Sequence, residues 1–100
     1  MAVVQKAFAH LRGANLEFGT LTLNPASLGD NAQGEYTVTV TGAKAGDLIF
    51  VNAEDLDVGL AVVGAKVTAT DTITIYINNE SGGAVDGANL TYSYMLVHLS

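Results

Sequence analysis

Between Glu35 and Asn52 the chain reads EYTVTVTGAKAGDLIFVN, and this stretch restricts the possible folds more than any other. Tyr36, Val38 and Val40 alternate with Glu35, Thr37, Thr39 and Thr41. A period of two puts one face of an extended strand in a core and the other toward water. Gly42 and Gly46 follow where the backbone needs freedom, and Asp47 is placed to bond neighbouring N–H groups. Leu48 to Val51 is then apolar on both faces. Such a strand belongs in the middle of a sandwich or at a subunit contact.

The rest of the chain repeats this grammar. Leu16 to Leu23 reads as a strand with a phase slip: Leu16 and Phe18 share one parity, Leu21 and Leu23 the other. Gly19 between them suits a bulge that resets the register. NPASLGDNAQG, from Asn24 to Gly34, is the longest polar loop. Ala61 to Thr68 is a small-residue strand, Thr70 and Asp71 turn the chain, and Thr72 to Asn78 places Ile73, Ile75 and Ile77 inward. After NESGGAVDGAN, the last strand carries Leu90, Tyr92, Tyr94 and Leu96 on one face and Met95, Val97 and Leu99 on the other. Before all of this, Val4, Ala7, Phe8 and Leu11 fit a helical face stopped by Gly13, or else an extended arm. The extended form accords better with an otherwise β chain. The expectation is an all-β antiparallel β-sandwich, jelly-roll or Greek-key-like, over residues 16–100, with an N-terminal arm over residues 1–15.

One hundred residues make one domain with a modest core. Only 14% of them are charged against 49% hydrophobic, too few ionic groups to cover the surface, so another chain is expected to cover part of it. No run approaches a membrane span, and MAVVQKAFAHLRG lacks the apolar core and cleavage site of a signal peptide. There is no cysteine for a disulfide or a thiolate metal site. The net charge of −6 hides an asymmetry: Lys6 and Arg12 are the only charges in the first sixteen residues, and ten acids face Lys44 and Lys66 in the remainder. An acidic body argues against nucleic acid as a partner. The basic N-terminal segment suits an acidic protein surface.

From Tyr36 onward the ordered set TVTVTGAKAGD, LIFV, VGLAVVGAKVT and TATDTITIYINNESGGAVDGANLTYSYMLV resembles a pattern among capsid decoration (cement) and head-fibre proteins of tailed bacteriophages. The resemblance covers roughly two-thirds of the chain. It implies a non-enzymatic structural protein with no cofactor, made in the host cytoplasm and carried on the outer surface of the virion. Its implied partners are the major capsid protein and its own copies in a homotrimer, with no nucleic acid, membrane or small-molecule substrate. On this reading Val3, Val4, Lys6, Phe8, Leu11 and Arg12 anchor the chain to the capsid, and Ile49, Val51, Met95, Val97 and Leu99 form the subunit interface.

Other candidates rest on thinner chemistry. Glu54, Asp55 and Asp57, with Asp47 upstream, supply too few oxygens for calcium and read as a solvated loop, so no metal site is expected. His10 and His98 have no nucleophile or carboxylate at catalytic spacing. Asn79-Glu80-Ser81 and Asn89-Leu90-Thr91 match a glycosylation sequon, read as accidental without a secretory signal. The alternative function is a carbohydrate-binding or adhesin-like surface module, in which Tyr36, Tyr76, Tyr92 and Tyr94 would offer stacking faces, Tyr76 foremost.

Overall fold

The structure, a computed structural model, describes residues 16–25, 27–53 and 55–99. The expected arm, with Val3, Val4, Lys6, Phe8, Leu11 and Arg12, lies outside the described residues. The chain runs through β1 (Leu16–Leu23), β2 (Gln33–Thr39), β3 (Leu48–Asn52), β4 (Leu60–Ala69), β5 (Thr72–Asn79) and β6 (Leu90–Val97), with no helix among the described residues. These form two antiparallel three-stranded sheets, ordered β1-β6-β3 and β2-β5-β4. Only the β4–β5 connection stays within a sheet; every other connection carries the chain to the opposite one.

Alternation decides what each sheet buries. Ile73, Ile75 and Ile77 on the central strand β5 are completely buried, and register sets them against Val38, Tyr36 and Gly34 of β2. Leu21, Ile49, Tyr92 and Leu96 from the other sheet join the same hydrophobic core. Burying each such side chain contributes about 1.5–3 kcal/mol. The Tyr92 hydroxyl is buried with no hydrogen-bond partner among the described residues. Burial, then the charge of Asp57 and the neighbouring Tyr36, pushes its ionisation above the usual phenol range. Replacing Tyr92 by Phe removes an unpaired polar atom and keeps the ring. The expected result is a stability gain of roughly 1 kcal/mol in a urea titration.

The connections are tied to each other rather than left to solvent. At the β4–β5 turn Asp71 takes a left-handed conformation (φ 59°), and its Oδ1 accepts the Gly42 N–H at 2.8 Å. Its own N–H donates to the Ala43 carbonyl at 2.8 Å, while the Val40 N–H donates to the Asp71 carbonyl at 2.9 Å. The hairpin tip thus holds the β2–β3 connection. Gly42 needs its freedom there, because φ is 97°.

One sequence reading is corrected. β1 carries no bulge at Gly19: it pairs with β6 one to one from Leu16↔Val97 to Leu23↔Leu90. The parity change is real, and its meaning is that Leu16 and Phe18 face one side of the sheet while Leu21 and Leu23 face the other. Gly19 is small for a different reason, since a Cβ there would lie 2.5 Å from the Tyr94 hydroxyl. β3, expected in the middle of a sandwich or at a subunit contact, is an edge strand among the described residues. The irregularities fall instead on β4, the edge strand of the other sheet that lies beside β3, between Val62 and Gly64 and between Val67 and Ala69. Bulges there bend an edge that would otherwise be free to pair.

Candidate interaction face on the β1-β6-β3 sheet

The outer surfaces of the two sheets differ in kind. On the β2-β5-β4 sheet Glu35, Thr37 and Thr39 lie beside Tyr76, Thr74 and Thr72 in register, and Lys66 sits 5.8 Å above the Tyr76 ring. Gln33 Nε2 donates to Asn78 Oδ1 at 2.9 Å on the same surface. That face is polar, with Thr74 buried at its centre and its hydroxyl 3.2 Å from that of Thr68.

The β1-β6-β3 sheet presents the reverse. Register places Leu16, Val97 and Leu48 in one cross-strand row, and Phe18, Met95 and Phe50 in the next. A third row, Thr20, Ser93 and Asn52, is polar. Phe18 is 73% exposed, Phe50 55% and Leu48 46%. A shallow groove of about 280 Å³ runs along Phe18, Met95 and Phe50, with Ser93 and Asn52 at its polar end. Two exposed phenylalanines one strand apart on either side of a methionine are the composition of an interface centre rather than of a solvated face.

The residues expected at a subunit interface divide. Ile49, 5% exposed, belongs to the hydrophobic core, and Val51 packs against it, because odd positions of β3 point inward. Ile49 therefore turns its side chain away from the outer face, and Val51 keeps part of its own exposed. Their neighbours Leu48 and Phe50 take the outward positions. Met95 sits at the centre of the apolar face and Leu99 is exposed beyond its end. Val97 is on the same face, yet only 5% exposed, and is not part of the central core cluster. Phe18, the most exposed of these aromatics, was missed, although its wrong parity relative to Leu21 was the signal.

At the end of this face the three strands are pinned by one polar cluster. Asp47 Oδ2 accepts from His98 Nδ1 at 2.9 Å and from the Lys44 N–H at 3.1 Å, and Oδ1 accepts the Leu99 N–H at 3.2 Å. His98 Nε2 lies 3.4 Å from Glu17 Oε1. A carboxylate only accepts, so His98 presents its Nδ1–H to Asp47. The cluster joins the start of β1, the start of β3 and the end of β6. His98 therefore does have carboxylate partners, brought from 51 residues away in the case of Asp47. Burial acts to raise the Asp47 carboxyl, but the Leu99 N–H, His98 and the Lys44 N–H outweigh it and hold the group below its ordinary 3.8. A lowered folded value means the stabilisation is complete above 3.8 and is lost as pH falls through the folded value. The stability difference between the protein and Asp47→Asn, followed by urea titration, is expected to be constant near neutral pH and to shrink below about pH 4.

The remaining candidates resolve differently. Glu54 lies outside the described residues, and the Asp57 carboxylate is engaged by the Ala88 N–H at 2.8 Å. Among the described residues no group of three or more His, Cys, Asp or Glu could hold a metal ion. Asn79 is completely buried, so the first sequon offers no amide to a glycan in the folded chain. The four tyrosines share no surface: Tyr92 is in the core, Tyr36 and Tyr94 pack on it, and Tyr76 lies on the opposite sheet under Lys66. His10 lies outside the described residues. Comparison with known proteins finds no matching family model, no matching curated protein and no matching solved structure.

Proposed function

We propose that the chain is a non-enzymatic structural binding module that decorates the outer surface of a tailed-bacteriophage head, contacting the major capsid protein and its own copies. The observation that carries this reading is the division of the two sheet faces. One is threonine-rich and polar, and the other exposes Phe18, Phe50 and Leu48 around Met95. A protein that adds buried area across joints between capsid subunits needs one surface of each kind. Within this reading the alternation of strands between sheets makes a short jelly-roll-like sandwich. Val3, Val4, Lys6, Phe8, Leu11 and Arg12 remain the proposed capsid anchor, with the two basic residues set against an acidic shell surface.

The test is the composition of particles. Tailed-phage virions banded on a density gradient from a culture producing this chain are expected to contain it in fixed ratio to the major capsid protein. Recovery of the chain only in the particle-free fraction would overturn the assignment.

A further inference from the structure

We infer that the outer face of the β1-β6-β3 sheet is occupied by the same face of a second copy, packed sheet on sheet about a two-fold axis that runs along β6. This deepens the self-contact in the reading above. It rests on the residues of this face alone, so it can fail while virion recovery succeeds, and the reverse.

The cross-strand rows of this face are close to symmetric about β6. Taken from β1 through β6 to β3, they read Leu16–Val97–Leu48, Phe18–Met95–Phe50 and Thr20–Ser93–Asn52. Each is nearly the same read from either side. A two-fold axis parallel to the central strand exchanges left and right and keeps every row over itself. Phe18 then meets the second copy's Phe50, Leu16 meets Leu48, Met95 meets Met95, and the polar rows face each other. An axis across the strands at the Phe row would instead lay Leu16 on Thr20, pairing apolar rows with polar ones. Isologous contacts require a patch complementary to itself, and the axis along β6 is the one that buries all three rows, apolar on apolar and polar on polar. The homotrimer implied by the resemblance would join two different patches, which this face does not call for.

Charge points the same way. An acidic chain repels its own copies wherever acids face each other. None of the nine residues in the three rows is charged, and the nearby Glu17 has the opposite parity and is turned to His98. Area is sufficient but not generous. The exposed parts of Phe18, Phe50, Leu48 and Met95 amount to roughly 400 Å² of apolar surface per copy, and the polar row brings a pair to about 1,000–1,200 Å² in total, the lower end of specific interfaces. A reversible dimer with a dissociation constant in the micromolar range is the expected strength.

The chain has no cysteine, so engineered thiols report unambiguously. Facing sheets lie about 10 Å apart, within reach of a short bismaleimide. Met95→Cys is expected to crosslink to a covalent dimer. A mixture of Phe18→Cys and Phe50→Cys chains is expected to crosslink several-fold more than Phe18→Cys alone, because only the mixture places thiols opposite each other. Thr37→Cys, on the polar sheet, is expected to stay monomeric. Circular dichroism confirms that each variant is folded, and each substituted residue is at the surface or half-buried. Absence of crosslinking at Met95 in a folded variant would overturn the inference. So would crosslinking of Thr37→Cys to the same extent, or of Phe18→Cys alone as fully as the mixture.

Discussion

Asn79→Ala is expected to cost about 3–5 kcal/mol and to lower the melting temperature by roughly 15–25 °C. The Asn79 Nδ2 donates to the carbonyls of Leu28 at 2.9 Å, Gly29 at 3.1 Å and Gly83 at 2.7 Å, and Oδ1 accepts the Ser81 N–H at 2.9 Å. Its backbone adds two more links, donating to Ala32 and accepting from Asn31, both at 3.0 Å. One buried side chain therefore closes both long loops onto the end of β5. Alanine removes four hydrogen bonds at once and empties a fully buried position; the Leu28, Gly29 and Gly83 carbonyls keep one donor each, from the Val85 and Ala32 N–H groups and the Ser81 hydroxyl, but the side chain that ties the three together is gone. Asn79→Asp separates shape from chemistry. It fits the space and can still accept from Ser81, but it turns a carboxylate oxygen toward three carbonyls, so it is expected to be no better than alanine. The loop junction extends to Gly59, whose carbonyl accepts the Glu80 N–H at 2.7 Å and whose φ of 90° brings it against Ser81. Differential scanning calorimetry checks the effect, and a loss under about 1 kcal/mol would show that the hydrogen bonds are replaceable.

Ile75→Ala is the second large effect, at roughly 3–4 kcal/mol in a denaturant titration. Ile75 is fully buried at the middle of the central strand, between Tyr36 of β2 and Ala65 of β4. Both neighbours are held by ladder pairing, so the strands cannot close over the lost atoms and a cavity remains. Against a typical domain stability of about 5–15 kcal/mol, such a loss leaves the chain close to unfolding at ordinary temperature. Val58→Ala, at an exposed loop position, is expected to change stability by less than about 0.5 kcal/mol.

These residues also show what could be read without coordinates. The isoleucines of β5 and the alternation of Tyr36, Val38 and Val40 announced their inward face, because period two ties sequence directly to side-chain direction. An excess of apolar surface is equally visible in the low charge and in LIFV. Which half of it faces out is not. Periodicity distinguishes two faces of a strand, and only pairing with β6 says that Ile49 and Val51 look inward while Leu48 and Phe50 look out. The slip in β1 reads as a bulge only if a strand has one apolar face, and β1 has apolar residues on two. Asn79 looked like an ordinary strand end, and His98 a lone terminal histidine. The partners that set their roles, Leu28 and Gly29 for Asn79 and Asp47 for His98, lie some fifty residues away in sequence, beyond any local pattern.

The most direct test of the account is the solution mass of the purified chain by light scattering, across concentration and at low and high salt. A contact made of Phe18, Met95 and Phe50 carries no charge to screen, so the mass is predicted to rise to twice that of the chain and to hold at high salt. A mass of one chain at every concentration, a threefold mass, or a twofold mass that falls apart as salt is added would contradict it.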